Sequence, residues 1–140
     1  MAGELTVTAA QVAVIDAEKA EIYTGIAAAA ITAGLPLYML TTGTMGIADA
    51  NDAGKFQCRG ISLAAAGAGQ AVDYIKRGRL AGMGTAAVNC SAPIFVSDTV
   101  GRIATSAGST SVTIGIVVPM SDKDLTRVLY VDCRYGPDWT

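Results

Sequence analysis

The chain contains no histidine. That removes the commonest general base, the His-assisted serine or cysteine nucleophile, and every mixed Cys/His metal site. Cysteine is scarce and odd in number: Cys58, Cys90 and Cys133, with no C-x-x-C spacing. Neither a zinc site nor a disulfide framework is expected, and the three are read as reduced thiols acting as small apolar side chains. Charge is thin as well. Only 16% of residues are charged and the net charge is −2, against about 25% charged in an average globular protein. Such a chain has little with which to capture nucleic acid or an anionic membrane surface. Long apolar runs are also missing. The most apolar stretch, Ile22 to Leu40, is broken by Gly25, Gly34 and Pro36, so it is not read as a membrane span. Met1-Ala2-Gly3-Glu4 lacks a basic n-region and an apolar h-region. Synthesis and folding in a reducing cytoplasm are therefore expected, and the Asn89-Cys90-Ser91 sequon is read as chance.

Recognisable catalytic and cofactor patterns are absent too. The twelve acidic residues are scattered. The closest pairs, Asp122 with Asp124 and Asp49 with Asp52, lie in turn-like stretches. Asp49-Ala50-Asn51-Asp52-Ala53-Gly54 lacks the acidic spacing and closing glutamate of an EF-hand and reads as a solvated turn. Gly67-Ala68-Gly69 starts like a dinucleotide fingerprint, but Val72 stands where the third glycine is needed, and no Walker A loop occurs. No cofactor, no metal and no enzymatic activity are expected. The basic cluster Lys76-Arg77-Gly78-Arg79 is read as a solvated loop between two strands, with a patch for an acidic partner as the alternative.

What the chain does have is glycine, 16 residues spread along its length, within a composition that is 51% hydrophobic. Between the glycines lie short runs of β-branched and aromatic residues, the pattern of many short strands joined by tight turns. Strands are predicted at Phe56 to Leu63, Ala71 to Lys76, Val112 to Val118 and Arg127 to Tyr135. Shorter ones are predicted at Leu37 to Leu40, Ile94 to Ser97 and Gly101 to Thr105. In Val112 to Val118 the even positions are all large and apolar, which predicts that they share the buried face. In the last strand, Leu129, Val131, Cys133 and Tyr135 share a face. Ala64 to Gly69 reads as a hairpin loop. Asp16 to Ala30 carries helix formers interrupted by Gly25, and its small residues suit a closely packed strand equally well.

The chain also repeats itself. Ala33-Gly34-Leu35-Pro36-Leu37-Tyr38-Met39 runs through a Thr/Gly turn to Ile47-Ala48. Ser91-Ala92-Pro93-Ile94-Phe95-Val96 runs through a similar turn to Ile103-Ala104. Gly60-Ile61 follows the first unit and Gly115-Ile116 the second. In each, the proline can open an edge strand, the aromatic covers the core, and the turn reverses the chain. Two related halves of a small β-barrel or sandwich are predicted.

The first twenty residues stand apart. Leu5-Thr6-Val7-Thr8 and Val12-Ala13-Val14-Ile15 are short strand-like runs before the charge-rich Asp16 to Glu21. Residues 1–20 are read as an extended N-terminal arm and 21–140 as one β-rich domain. Such an arm can add a strand to a neighbour's sheet, which makes Leu5, Thr6, Val7, Thr8, Val12 and Val14 candidate partner-binding residues. Folding back as an edge strand of its own domain is the alternative.

From Ile31 to Val118 the chain resembles the small capsid decoration (cement) proteins of tailed bacteriophages. The resemblance rests on Ile31-Thr32-Ala33-Gly34-Leu35-Pro36-Leu37-Tyr38 with its Thr-Gly turn, Ala48-Asp49-Ala50, Gly60-Ile61-Ser62-Leu63, Ala92-Pro93-Ile94-Phe95-Val96 and Gly115-Ile116. It covers roughly two-thirds of the chain and leaves out the arm and Pro137-Asp138-Trp139-Thr140. It implies an all-β, β-tulip-like body on the capsid exterior of a virion, bound to the major capsid protein as a homotrimer at three-fold or local three-fold positions. It also implies stabilisation of the shell, and no catalytic residues. Two other readings stay open: a small β ligand- or carbohydrate-binding module, for which Trp139 is the obvious exposed aromatic, and an accessory domain of an enzyme.

Overall fold

The structure is a computed structural model that describes residues 4–51 and 54–133. It is built almost entirely from ten strands: β1 (Ala13–Ile15), β2 (Glu21–Ile26), β3 (Pro36–Met39), β4 (Met45–Ile47), β5 (Gly60–Ser62), β6 (Ala71–Ala81), β7 (Pro93–Val96), β8 (Ile103–Ala104), β9 (Thr113–Pro119) and β10 (Arg127–Asp132). They form one curled antiparallel sheet in the order β4-β3-β5-β6-β10-β9-β7-β8, with β1 and β2 also on β6. The all-β expectation holds.

The long strand β6 organises the molecule. Along one of its edges lie β5, paired at Ile75 and Tyr74, and then β10, paired from Arg77 to Leu80. Along the other lie β2, paired from Ala71 to Arg77, and β1, paired from Arg79 to Ala81. The basic cluster Lys76-Arg77-Gly78-Arg79 is therefore not a loop. It lies inside β6, because its backbone is claimed on both edges and Arg77 is held by Asp132 at 3.1 Å and Glu21 at 3.6 Å. No α-helix forms over Asp16 to Ala30. One 3-10 turn at Ala17–Lys19 leads into β2.

The predicted duplication appears in the topology and, more sharply, in the register. β3 forms a hairpin with β4 and pairs β5 on its other side, and β5 pairs β6. β7 does the same with β8, β9 and β10. Pro36 faces Ile61 and Leu37 faces Gly60, as Pro93 faces Ile116 and Ile94 faces Gly115. Ile61 then faces Ile75 and Ser62 faces Tyr74, as Ile116 faces Tyr130 and Val117 faces Leu129. The entry to each unit matches as well. Gly34 and Ser91 both adopt left-handed backbone, at φ 86° and 71°. Each donates its N–H to the equivalent carbonyl, Ser62 at 2.8 Å and Val117 at 2.7 Å. The hairpins differ: Leu37 pairs Ile47, whereas Val96 pairs Ile103.

Burial separates the halves. In the first, Leu37 and Tyr74 join a small core with Ala27, Ile31, Met45, Ala66 and Val72. The opposite face of those strands, carrying Ile61 and Ile75, is sealed into the main core. In the second half, Ile94, Val117 and Leu129 fill that main core, but the opposite face stays open.

Two strand predictions fail in detail. Only Gly60–Ser62 of Phe56 to Leu63 pairs as strand. In β9 the register shifts opposite Ile94 and Phe95, so an extra residue flips the alternation: Val112 and Ile114 are buried as expected, but beyond the shift Val117 is buried and Ile116 is 39% exposed, the reverse of the expected faces. Arg134, Tyr135 and Trp139 lie outside the described residues.

Candidate interaction surface

The six residues expected to reach a neighbour belong largely to their own body. Leu5 is buried in the main core, and Val7, Val12 and Val14 are half-buried against it. The Leu5 N–H donates to the Ile103 carbonyl at 2.9 Å and that of Thr8 to Gly82 at 3.0 Å. Val14 sits in β1 opposite Leu80. Only Thr6 and Thr8 point freely to solvent. The segment is extended, as expected, apart from a 3-10 turn at Ala9–Gln11, but it is laid down on its own sheet. The reason is physical: the apolar run of residues 5–14 finds a core and a free edge of β6 in its own domain at no translational cost.

Glu4 fastens the start of this segment. It bridges Ala104 through the backbone, and its carboxylate accepts a hydrogen bond from the buried Ser97 hydroxyl at 2.6 Å. Hydrogen bonds from the hydroxyls of Ser97 and Thr99 hold its pKa below the ordinary carboxylate range. A folded-state value below the unfolded one means that this anchor contributes fully above the ordinary carboxylate range and is lost as the pH falls through the lowered value. Melting of the wild type and Glu4→Gln across a pH series should therefore show a gap near neutrality that closes in acid. A gap that stays constant through acid would mean that Glu4 acts through packing and not through its charge.

A different surface is free. Across the open face of the second half, directly opposed residues form one transverse row: Pro93, Ile116, Tyr130, Arg79 and Ile15, on β7, β9, β10, β6 and β1. Five strands at the usual spacing make this row about 19 Å wide. Pro93 and Ile116 are exposed, and Tyr130, Arg79 and Ile15 are half-buried. The equivalent residues of the first half, Pro36, Ile61 and Ile75, are buried within the chain. The row thus has the composition of a buried layer without a cover. Its single charged member, Arg79, has Nε buried with no hydrogen-bond partner among the described residues, a costly state that an incoming acceptor would relieve.

The row ends on β1, and β2 continues along the same edge of β6. Among the described residues β2 pairs a strand on one side only, apart from the Ala27–Met45 bridge just beyond it. It exposes Ile22, Tyr23 and Ile26, with the Tyr23 ring tilted against Tyr74 at 6.0 Å.

Alternation could not have found Ile116, because the register shift reverses its face. The echo could have pointed to Pro93, since it names Pro36 as its twin. β2 carried a signal of its own: Tyr23 stands at the opposite parity to Ile22 and Ile26, so a large side chain must face outward whichever face is buried. No family model, curated protein or solved structure matches the chain.

Proposed function

We propose that this chain is a structural attachment protein of a tailed-phage virion, which binds the outer surface of the capsid, contacts the major capsid protein and stabilises the shell as trimers at three-fold and local three-fold positions. The observation that carries the reading is the uncovered row Pro93-Ile116-Tyr130-Arg79-Ile15. Apolar and aromatic side chains around one arginine are what the centre of a protein interface is made of, and the matching layer in the first half is already buried. The capsid as the surface rests on the sequence resemblance, with which the low charge and β-rich body agree.

Co-sedimentation with expanded capsids tests it. Ile116→Glu places a charge in the middle of the row, and Arg79→Ala removes its donor. Each is expected to weaken capsid binding by tenfold or more, that is by about 1.4 kcal/mol or above. Melting should shift by only a few degrees, because neither residue is in the core. Undiminished binding by the double variant would rule this face out. Image reconstruction of decorated capsids checks the symmetry: three copies around each three-fold position are expected, and single copies elsewhere would refute the trimer.

A further inference from the structure

Cys58 precedes β5 and Cys133 follows β10. These strands lie end to end on the same edge of β6, so the two residues meet where the first half of the molecule abuts the second. Both are 1% exposed. Their sulfurs are 3.7 Å apart, although the residues are 75 positions apart in sequence. The Cys58 thiol donates to the Gly60 carbonyl at 3.3 Å, and the Cys133 N–H donates to the Lys76 carbonyl at 2.9 Å. Cys90 is exposed and lies in another part of the chain.

We propose that Cys58 and Cys133 form an intrachain disulfide when the protein meets a small-molecule disulfide oxidant, stapling the two halves together at β6. The sulfurs are already in van der Waals contact. Reaching a bonded length of about 2.05 Å requires the sulfurs to close the remaining gap. The reaction balances as ordinary exchange. One cysteine thiolate attacks the oxidant, breaking its S–S bond and releasing one thiolate. The other cysteine then attacks the protein-bound sulfur, forming the Cys58–Cys133 bond and releasing the second. The protein loses two electrons and two protons, and the oxidant becomes two thiols. In the closed fold the Cys133 thiol is pushed well above its ordinary range by its hydrogen bond with Cys58 and by burial. Reaction therefore waits for the joint to open or for folding to bring the pair together.

The test is to refold the full chain from urea with reduced and oxidised glutathione present, alkylate the remaining thiols, and map the linkage by mass spectrometry. Starting unfolded makes every thiol accessible. The expected product is a Cys58–Cys133 cross-link with Cys90 outside it, and a melting temperature roughly 5–15 °C above the reduced protein, as for a disulfide closing a long loop. Dithiothreitol should abolish the gain. Cys90→Ser should keep it, and Cys58→Ala should lose it. Links through Cys90, glutathione adducts left on Cys58 or Cys133, three free thiols, or a cross-link that does not raise the melting temperature would each overturn the proposal.

Discussion

Deleting Met1 to Ala20 is expected to unfold the protein. The segment supplies Leu5 to the main core and packs Val7, Val12 and Val14 against it. It also gives β6 the partner strand β1, with Ala13, Val14 and Ile15 opposite Ala81, Leu80 and Arg79. Burial of the leucine contributes about 2 kcal/mol and the half-buried valines about 1 kcal/mol each. Loss of the strand also bares one edge of β6, the strand that β2, β5 and β10 all pair with. Natural domains hold roughly 5–15 kcal/mol in all, so removing this much leaves little margin. The truncated chain should aggregate or melt without a cooperative transition. Leu5→Ala alone should cost roughly 2–3 kcal/mol, read from the urea midpoint. A soluble truncation with unchanged melting would contradict the structure and restore the reading of a detachable arm.

Much of this architecture was legible beforehand, for reasons that can be given residue by residue. β10 was readable because Leu129, Val131 and Cys133 alternate cleanly and all three are buried. The hairpin after β5 was readable because Ala64 to Gly69 holds only alanine and glycine between two strand-like runs, although Ala66 within it is buried against Ile31 in the small core. The repeat was readable because Pro36 and Pro93 open strands in the same way. The failures have causes too. Lys76 to Arg79 looked like a loop because a charge run with a glycine is usually solvated. Here Arg77 spends its charge on Asp132 and Glu21, and Gly78 takes a left-handed φ of 140° inside the strand. Ile116 was assigned to the core because two-residue periodicity takes no account of an inserted residue. The arm looked free because its runs are short. Whether a short strand pairs at home or with a neighbour depends on which sheet edge is vacant, and one edge of β6 was. Of the candidate site, the six arm residues turned out to be mostly internal structure. The open row could be seen only once the register of five strands was known.

The register match between halves carries its own consequence at Gly60 and Gly115. These two glycines occupy equivalent positions, and neither has positive φ. Their requirement is space. A Cβ on Gly60 would lie 2.6 Å from the Ile75 carbonyl oxygen, and one on Gly115 would overlap the Tyr130 carbonyl and sit 3.2 Å from the Val131 Cα. Ile75 and Tyr130 are themselves equivalent in the repeat. In both places, then, the third strand of a unit runs so close to the fourth that only hydrogen fits, and the obstacle is backbone in a paired strand, which cannot swing aside. Gly115→Ala is expected to destabilise by about 3 kcal/mol or more, beyond the usual cost of a slightly overfilled core, and Gly60→Ala by about 2–3 kcal/mol. Gly43→Ala is the informative comparison. Gly43 has φ 90° and nothing within 4 Å of its missing Cβ, so it should cost only about 1 kcal/mol through backbone strain. Urea unfolding of the three variants separates crowding from strain. If Gly115→Ala and Gly60→Ala cost no more than Gly43→Ala, the close approach of the strands is wrong, and with it the packing logic shared by the two halves.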